Sequence, residues 1–339
     1  MAIPTPLHEV AAQAGAVFTE DAGWRVPDHF GDPAREYHQA RAGCVLFDQS
    51  HRGKVEVSGN DAASFLHNLC TNDIKNLPVG TGREAFLTTA KAKVVAYLFL
   101  HRTESGFWLD LAPGTAATVL KHLDHYLISA QVEFLDHSRD YAQIHIAGPA
   151  AESLLAQAHV GDSAQIRRHD RLGLPGFDLV CPCTEAAPIW QKLVQAGAVP
   201  AGQQIFEVLR IEMGMPAQGI DIDENTFAPE AGRTAQAICY TKGCYLGQEP
   251  IVMARDRGQV NRTLLGLKLT GGPVPHDSLL YRDGKEVGRI TSSVISPQLG
   301  TAIALAYVRR GNQEPGTVVD VEVAGERRPA TVSMLPFVT

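Results

Sequence analysis

Cys244 is the residue with the clearest capacity for chemistry, because it lies in the segment KGCYLGQE. Lys242, two positions earlier, could favour the thiolate, which is the form of cysteine that reacts as a nucleophile. Gly243 and Gly247 leave the backbone open to the close approach of a partner or cofactor. A side-chain amide and a carboxylate follow in Gln248 and Glu249. The segment predicts a functional thiol at Cys244; the alternative is an inert cysteine that packs as a small apolar residue.

The composition of the 339-residue chain limits the classes of function that it can serve. Apolar residues make up 45% of the sequence and charged residues 20%, which is typical of a globular protein with a sizeable core. The 30 basic and 37 acidic residues give a net charge of −7, which provides no general attraction for nucleic acid. The sequence shows no secretion signal and no apolar run long enough to span a membrane. We therefore expect a cytoplasmic location and no membrane partner.

The cysteines are few for a chain of this length and include no CxxC pair. We therefore expect reduced thiols, without a disulfide framework or a metal site. Cys181 and Cys183 are predicted to face the same side of one strand, in the core rather than at a metal.

A strand, a glycine turn and a helix occur twice in the sequence, at a constant offset of 89 residues. Both copies continue into further strands and a second helix. We expect two ferredoxin-like split β-α-β units that arose by duplication, the alternative being a chance match between common strand–glycine–helix junctions. The matched positions are Val55, Val57, Gly59, Ala62, Ser64, Phe65 and Leu66 in the first copy and Ile144, Ile146, Gly148, Ala151, Ser153, Leu154 and Leu155 in the second.

The last part of the chain, from about residue 262, changes to short alternating strands with hairpin signals at Asp283-Gly284 and Ala324-Gly325. This pattern predicts a small β-barrel, so the fold class is α+β. The expected divisions are an N-terminal part that packs with the second unit (1–50), the first unit (51–140), the second unit with the KGCYLGQE loop (141–260) and the barrel (261–339).

KGCYLGQE resembles the signature segment of the YgfZ proteins, in which this cysteine is the hallmark residue. Three longer segments are similar to the glycine-cleavage T-protein, so the resemblance covers nearly the whole chain: FDQSHRGKVEVSGNDAASFLHNLCTNDI, RIEMGMP and GRITSSVISPQLGTAIALAYV. The resemblance implies three domains arranged around a central folate cavity. It also implies a tetrahydrofolate-binding accessory protein for the assembly or repair of iron–sulfur clusters, with iron–sulfur proteins as partners. Pro250 and Met253 depart from the YgfZ pattern, which has an apolar pair and a basic residue there.

The resemblance also implies roles for single residues. Glu212, in RIEMGMP, matches a T-protein glutamate that grips the pterin, and a carboxylate can accept two parallel hydrogen bonds from such a ring. Lys242 and Arg233 are candidates to face the anionic glutamate tail of folate. His51 and Asn72 belong to segments that line the cavity. The alternatives are surface charges for the basic residues and turn or capping roles for the other two.

Ala96 and Tyr97 stand where the T-protein has a pair of aspartates, one of which aminomethyl transfer requires. Neither side chain can supply a carboxylate charge beside a developing cation, so aminomethyl transfer by that route is not expected. Tyr97 could instead stack on a ring of folate, or be an ordinary half-buried strand residue. Two other functions stay open: a folate-dependent one-carbon transferase or demethylase with a substituted acid, and a scaffold without a ligand.

Overall fold

The computed structural model describes residues 2–162, 164–258 and 260–338. The chain forms two compact units, each built from separate stretches of sequence. The first unit comprises Met1–His67, Asp73–Ala85 and Ala96–Phe206, and the second comprises Asn68–Asn72, Phe86–Val95 and Glu207–Thr339. The predicted divisions at residues 50, 140 and 260 stay a prediction. Within the described ranges, no helix combines the length and the apolar character needed to cross a membrane.

The N-terminal segment forms a small sheet with the strand order β1-β3-β2. The helix α2 begins where Asp32 accepts a hydrogen bond from the Arg35 backbone N–H, with Pro33 at its first position. The elements are β1 (Ile3–Pro4), α1 (His8–Gln13), β2 (Val17–Asp21), β3 (Trp24–His29) and α2 (Pro33–Ala42).

The next two stretches, residues 45–125 and 133–195, are called the first and the second repeat below. The first contains β4 (Val45–Asp48), β5 (Gly53–Ser58), α3 (Ala62–Leu69), β6 (Gly82–Thr88), β7 (Val94–Arg102), β8 (Gly106–Leu111) and α4 (Ala116–His125). The second contains β9 (Glu133–Asp136), β10 (Tyr141–Ala147), α5 (Ala151–Ala158), β11 (Gln165–Arg168), β12 (Gly176–Pro182) and α6 (Cys183–Gln195). A short strand, β13 (Val199–Pro200), follows the second repeat.

Each repeat contributes its first strand to the sheet of the other. The sheets have the orders β6-β7-β8-β5-β9 and β11-β12-β10-β4-β13, so β9 completes the first sheet and β4 the second. β9 is antiparallel to β5, with Asp136 opposite Val55, and β4 is antiparallel to β10, with Asp48 opposite Ile144. The predicted duplication is thus matched by an equivalent exchange of strands, and the paired ferredoxin-like units are confirmed.

The turns after the exchanged strands are held by the same hydrogen bonds. The Gln49 N–H donates to the Gln143 carbonyl (2.9 Å), and the His137 N–H donates to the Lys54 carbonyl (2.8 Å). The Ser50 hydroxyl accepts from the Gln143 N–H (3.2 Å), as the Ser138 hydroxyl does from the Lys54 N–H (3.0 Å). The repeat therefore extends to the backbone contacts of the turns.

Two glycines of the repeated pattern lie at equivalent close approaches. Gly59 (φ +108°) and Gly148 (φ +136°) adopt a conformation that strains residues with a Cβ. A Cβ at Gly59 would lie 2.2 Å from the Gln131 carbonyl oxygen, and one at Gly148 would lie 2.3 Å from that of Gly43. Only glycine fits at either turn without a shift of the backbone.

After the repeats come α7 (Gln203–Met213), a 3-10 helix (Ala228–Ala231), α8 (Thr234–Ala237) and α9 (Gln248–Arg257). A closed barrel follows, in the order β14-β17-β16-β15-β18-β19, as the hairpin signals predict. Its apolar interior includes Leu267, Leu280 and Val308. Its strands are β14 (Arg262–Leu269), β15 (Leu279–Arg282), β16 (Lys285–Ser296), β17 (Thr301–Arg309), β18 (Val318–Val323) and β19 (Glu326–Ser333). The α+β class and the C-terminal barrel are confirmed.

One local prediction is wrong. Cys181 and Cys183 do not share a strand, because β12 ends at Pro182 and Cys183 is the first residue of α6. Cys181 is buried as expected, whereas Cys183 is half-buried. The proline has an extended backbone and turns the chain from strand into helix at this point.

Candidate functional site

Glu212, the predicted pterin ligand, is fully buried near the end of α7. Its Oε1 accepts a hydrogen bond from the Ser296 hydroxyl (2.5 Å), and its backbone carbonyl accepts one from the Phe337 N–H (2.7 Å). Both partners belong to the second unit. An uncompensated buried carboxylate is costly, so the hydroxyl accounts for part of its stability there. Glu212 is thus not a solvent-exposed helix residue, and its pterin role stays a prediction.

Arg210, two residues before Glu212, is held by carboxylates other than Glu212. Its guanidinium donates to Glu207 (2.6 Å) and to Asp221 (2.8 Å). Burial alone would lower the pKa of Arg210, but these two carboxylates raise it above its ordinary value. Asp221 also accepts hydrogen bonds from the hydroxyls of Thr291 and Ser292. RIEMGMP therefore lies in an ordered polar network inside the second unit.

Lys242 fixes the start of the KGCYLGQE loop. Its Nζ donates to the backbone carbonyls of Cys70 (2.7 Å) and Asn72 (2.9 Å) and lies 4.8 Å from the centre of the Tyr245 ring. The Asn72 side chain in turn donates to the Gln236 carbonyl (2.7 Å). The structure shows Lys242 and Asn72 joining separate segments of the second unit. Their predicted contacts with folate stay predictions.

The cysteine of the loop is exposed, and the residues after it start a helix. Cys244 is exposed to solvent. The backbone at Gly247, in contrast, is closely packed, because a Cβ there would lie 2.6 Å from the Thr88 hydroxyl. Gln248 begins α9, so Pro250 lies in the first turn, where the backbone N–H groups have no partner within the helix. Pro250 therefore suits its place, and Met253 is about half exposed on the same helix. A functional role for Cys244 stays a prediction.

Arg233 is buried in the second unit, at the residue before α8. It is thus not the solvated surface charge that the sequence left as an alternative. Arg233, Lys242, Asn72 and Glu212 all belong to the second unit, whereas His51 and Tyr97 belong to the first.

His51 is buried in the first unit and lines a cavity of about 390 Å³. Its Nε2 lies 3.0 Å from Asp21 Oδ2, and its buried Nδ1 has no hydrogen-bond partner among the residues that the structure describes. The hydrogen bond from His51 lowers the pKa of Asp21. Asp136 and Ser138, from the turn of the second repeat, also line the cavity. The site therefore lies where the two repeated turns meet, and its relation to a folate stays a prediction.

Tyr97 is paired with a carboxylate that the sequence did not single out. Its hydroxyl donates to Glu84 Oε2 at 2.6 Å, from β7 to β6. Tyr97 is buried and Glu84 is half-buried, while Ala96 is fully buried. A carboxylate thus lies next to the position where the sequence has lost one.

A buried charge network joins the two repeats. Arg171, from the second, contacts both Asp110 of the first and Asp178 of the second (2.8 Å to Asp178). Asp110 also accepts a hydrogen bond from Arg52 Nε (2.5 Å). Burial would raise the pKa of Asp110, but Arg171 and Arg52 lower it to about 2. Two cations thus balance two carboxylates inside the first unit.

Two histidines complete this network around Asp178. His145 Nδ1 lies 3.0 Å from Asp178 Oδ1, and His169 Nδ1 lies 3.0 Å from Oδ2. Burial lowers the pKa of both histidines. His169 also stacks on Phe99 with ring centres 3.8 Å apart.

Asp110, His169 and Asp178 place possible metal-ligand atoms within 4.8 Å of one another. Both carboxylates already contact the guanidinium of Arg171, which balances their charge. A divalent cation would have to displace that guanidinium, so we interpret the group as a structural ion network.

This network and Glu84 were not predicted from the sequence. The signal for the network was a charged or imidazole side chain on strands that are otherwise apolar, as in FWLDL around Asp110 and FDLV around Asp178. Such residues are rarely buried unless they are paired. Glu84 carried no comparable signal, because its partner lies 13 residues away on another strand.

Both parts of the chain match family models. Residues 7–235 match the GCVT N-terminal domain, and residues 262–339 match the glycine cleavage T-protein C-terminal barrel domain. An aminomethyltransferase of Thermus thermophilus is 33% identical over 98% of each chain, and one of Saccharopolyspora erythraea is 31% identical over 98% of this chain and 97% of its own. The crystal structure of glycine cleavage system aminomethyltransferase T from Bartonella henselae has a TM-score of 0.93 at 26% identity, and covers 100% of this chain and 98% of its own.

These similarities overturn one expectation. The accessory function in iron–sulfur cluster assembly or repair is wrong, because the relatives that match over nearly the full length are named aminomethyltransferases. For the same reason, iron–sulfur proteins are no longer expected as partners. KGCYLGQE does not by itself indicate the function, because eight residues define less of the protein than the two matched domains do. With both domains matched in order along nearly the whole sequence, the chain belongs to the glycine-cleavage T-protein family.

Proposed function

We propose that this protein is a tetrahydrofolate-dependent one-carbon transferase of the T-protein class. The observation that carries the proposal is the TM-score of 0.93 over the whole chain with an aminomethyltransferase T. A fold alone does not define an activity. Here, however, relatives at about 30% identity over nearly the full length share the name aminomethyltransferase. An aminomethyl group is therefore the first one-carbon unit to test.

The donors and acceptors of the second unit suit a folate by their chemistry. The carboxylate of Glu212 can accept the paired N–H groups of a pterin, and the side-chain amide of Asn72 can donate or accept. Arg233 and Lys242 supply positive charge for the carboxylates of the folate tail. When bound, tetrahydrofolate would supply the amine nitrogens that accept the one-carbon group. His51 and Tyr97 of the first unit stay predicted contacts.

The loss of the strand aspartates limits the mechanism that these residues can support. Ala96 is fully buried and carries no charge, and the hydroxyl of Tyr97 is bound to Glu84. A carboxylate from another position must therefore balance a developing positive charge. The placement on the YgfZ side that KGCYLGQE predicts, and the cytoplasmic location, stay expectations on which the proposal does not depend.

The test is turnover with the full-length protein. Tetrahydrofolate is incubated with an aminomethyl donor, and then with N-methyl and S-methyl donors, while methylene- and methyltetrahydrofolate are quantified by chromatography. We expect product from the aminomethyl donor. If no donor gives a folate product above the rate without protein, the proposed activity is wrong.

Calorimetry separates binding from turnover. Glu212→Gln should weaken tetrahydrofolate binding at least about tenfold, because a neutral amide loses one acceptor and the charge. Glu326→Gln, at an exposed position in the barrel, should bind as the unchanged protein does. Equal affinity of the Glu212→Gln variant would contradict the pterin role while leaving the transferase proposal open to the turnover test.

A further inference from the structure

We infer that the cavity beside His51 binds a free α-amino acid with an uncharged side chain, held as a zwitterion by both of its charged groups. The inference goes beyond the proposed function, because the predicted folate contacts of the second unit do not line this cavity. It rests on the chemistry of the cavity wall, which offers separate groups to a carboxylate and to an ammonium.

The cavity has the size and the uncharged surface that a small side chain needs. Its volume of about 390 Å³ is near the lower end of the range for small-molecule pockets, about 300–1,000 Å³. All the residues that line it belong to the first unit. Trp24, Gly53, Ala116 and Ala117 supply surface without a formal charge, so the side chain of a ligand that lies against them should be uncharged as well.

The start of α4 supplies donors for a carboxylate. Ala116 and Ala117, its first two residues, line the cavity, and they precede the hydrogen bond from the Val119 N–H to the Thr115 carbonyl (3.0 Å). The Thr115 hydroxyl donates to the Ala112 carbonyl (2.8 Å) and does not cap the helix. The first turn contains no acidic residue. The positive end of the helix dipole is therefore not neutralised by its own helix.

Arg139 adds a positive charge at the same cavity. It lies in the turn of the second repeat and is exposed, and its guanidinium pairs with no carboxylate among the described residues. A guanidinium can donate two parallel hydrogen bonds to a carboxylate. Arg139 and the start of α4 together favour the carboxylate of a ligand.

Two carboxylates line the cavity as well. Asp136 Oδ1 accepts hydrogen bonds from the Ser138 N–H (2.9 Å) and hydroxyl (2.5 Å), which orient its side chain, while its Oδ2 accepts none from a described residue. Asp140 is 69% exposed and lies 3.5 Å from His137 Nδ1. The wall therefore also offers acceptors to an ammonium group.

His51 adds a buried polar group to this wall. It is 4% exposed, and its Nε2 lies 3.0 Å from Asp21 Oδ2, whereas its Nδ1 has no hydrogen-bond partner in the described part of the chain. When the neutral ring donates its Nε2–H to Asp21, Nδ1 carries a lone pair that an ammonium group can satisfy. A buried polar atom without a partner is costly, so it favours a ligand that donates to it.

The balance of these charges selects a zwitterion. A simple anion such as phosphate would meet Asp136 and Asp140, and a simple cation would meet Arg139 and the start of α4. An α-amino acid satisfies both sets of groups, because it carries a carboxylate and an ammonium on one carbon atom.

The test begins with binding to the full-length protein in the absence of tetrahydrofolate. L-alanine, L-valine, L-leucine and L-phenylalanine are titrated while tryptophan fluorescence is recorded, and inorganic phosphate is titrated in parallel. We expect a saturable change with at least one amino acid, with a Kd of about 1 mM or below, and none with phosphate. The change should be lost in Trp24→Phe, because Trp24 is the tryptophan that lines the cavity.

Derivatives of the tightest binder show which charges the site holds. The N-acetyl derivative lacks the ammonium and the amide lacks the carboxylate, so each should bind at least about tenfold more weakly than the parent amino acid.

Variants of the wall locate the binding. Arg139→Met and Asp140→Asn should each weaken binding of the amino acid about fivefold. Asp140→Asn should change binding of the N-acetyl derivative less than about twofold, because the group that it holds is already gone. Both side chains are exposed, so the fold should be kept, and the Tm without ligand checks this. Arg310→Met and Glu326→Gln, at exposed positions of the second unit, are the matched controls and should bind as the unchanged protein does.

The outcomes separate this inference from the proposed function. If none of the four amino acids binds, or if both derivatives bind as tightly as the parent, the inference is wrong. Unchanged affinity in both Arg139→Met and Asp140→Asn would place the binding elsewhere and would also overturn it. Saturable binding of phosphate that Arg139→Met abolishes would make the cavity an anion site, with the same consequence. None of these measurements involves folate turnover, so the proposed function stands or fails by its own test.

Discussion

The two repeats of the first unit share a backbone plan and differ in what they add to it. Each has a strand that crosses to the other sheet, a serine hydroxyl that accepts a backbone N–H across the turn, and a glycine pressed against a carbonyl. The first repeat adds β6, which carries Glu84; the described part of the second repeat has no counterpart. The second instead carries His145, Arg171 and Asp178 in its interior.

This difference shows where chemistry can arise in a duplicated fold. The shared positions are set by backbone hydrogen bonds and close approaches, which leave little choice of residue. The added strand β6 has no equivalent in the described part of the second repeat, so the repeated plan does not fix its side chains. The buried network, by contrast, neutralises charge across the boundary between the repeats.

Removing the cation at the centre of that network should give the largest effect on stability. Arg171→Met would leave Asp110 and Asp178 without the guanidinium that contacts both. We expect the free energy of unfolding to fall by about 3–5 kcal/mol in urea titrations. Arg168→Met, whose side chain is 59% exposed in a surface ion pair, should cost less than about 1 kcal/mol. Similar losses for the two variants would show that the network does not stabilise the joined repeats.

The two turn glycines test whether the repeats are equivalent. Gly59→Ala and Gly148→Ala should each cost about 3 kcal/mol, because a positive φ and a clash with a carbonyl act together. Gly15 has a similar φ of +88°, but apart from its chain neighbours no described atom would lie within 4 Å of an added Cβ, so Gly15→Ala should cost about 1 kcal/mol. A clear difference between Gly59→Ala and Gly148→Ala in the urea midpoint would mean that one turn relaxes and the other does not.

Acid should weaken the second repeat through its two buried histidines. Burial lowers the pKa of His145 and His169 in the folded protein, whereas an unfolded histidine titrates near 6.5. Below that value the unfolded state binds more protons than the folded state, so the free energy of unfolding falls as the pH falls. We expect a loss of no more than about 2 kcal/mol per histidine between pH 7 and 5, the limit that is reached when the folded histidine binds no proton in that range.

The matching measurement is urea unfolding at several pH values. His145→Gln should reduce the slope of stability against pH in this range, because one group that takes up a proton on unfolding is gone. A slope that does not change would show that His145 does not contribute to the acid sensitivity.

The smallest expected effect concerns the histidine at the cavity between the turns. Asp21→Asn removes the charged partner of His51 Nε2, and Asp21 is 39% exposed, so the cost should be below about 1 kcal/mol. Nitrogen NMR of His51 should nevertheless show a changed tautomer balance. An unchanged spectrum would mean that Asp21 does not orient the ring.

Much of the fold could be predicted because its signals are local. The strand–glycine–helix pattern and the hairpins of the barrel depend on residues close in sequence, such as Val55 to Leu66 and Asp283-Gly284. The register in which β4 and β9 pair with their neighbouring strands could not, because four apolar or mixed residues carry too little pattern to set it. The break at Pro182 was missed because the alternation of apolar residues continues past it.

Residues of the candidate site could be predicted only where they lie in a segment that resembles one of a known family. Glu212 was singled out by RIEMGMP, but its full burial and its contact with Ser296 depend on the barrel, 84 residues further along. Lys242 was expected to face an anion. Its Nζ instead donates to the carbonyls of Cys70 and Asn72, which lie far away in the sequence, so these contacts could not be predicted. The contact of Glu84 with Tyr97 depends on the pairing of two strands, which the sequence does not specify.

The crossing of β4 and β9 has a consequence for how such a molecule could have arisen and how it can be taken apart. Two copies that exchange a strand resemble a strand-swapped dimer within one chain. The linker between α4 and β9 joins what would be two separate subunits in such a dimer. Cutting that linker would still leave each fragment carrying a strand that belongs to its partner. The two pieces should therefore refold only together, as a complemented pair, and each alone should expose the edge of an unfinished sheet.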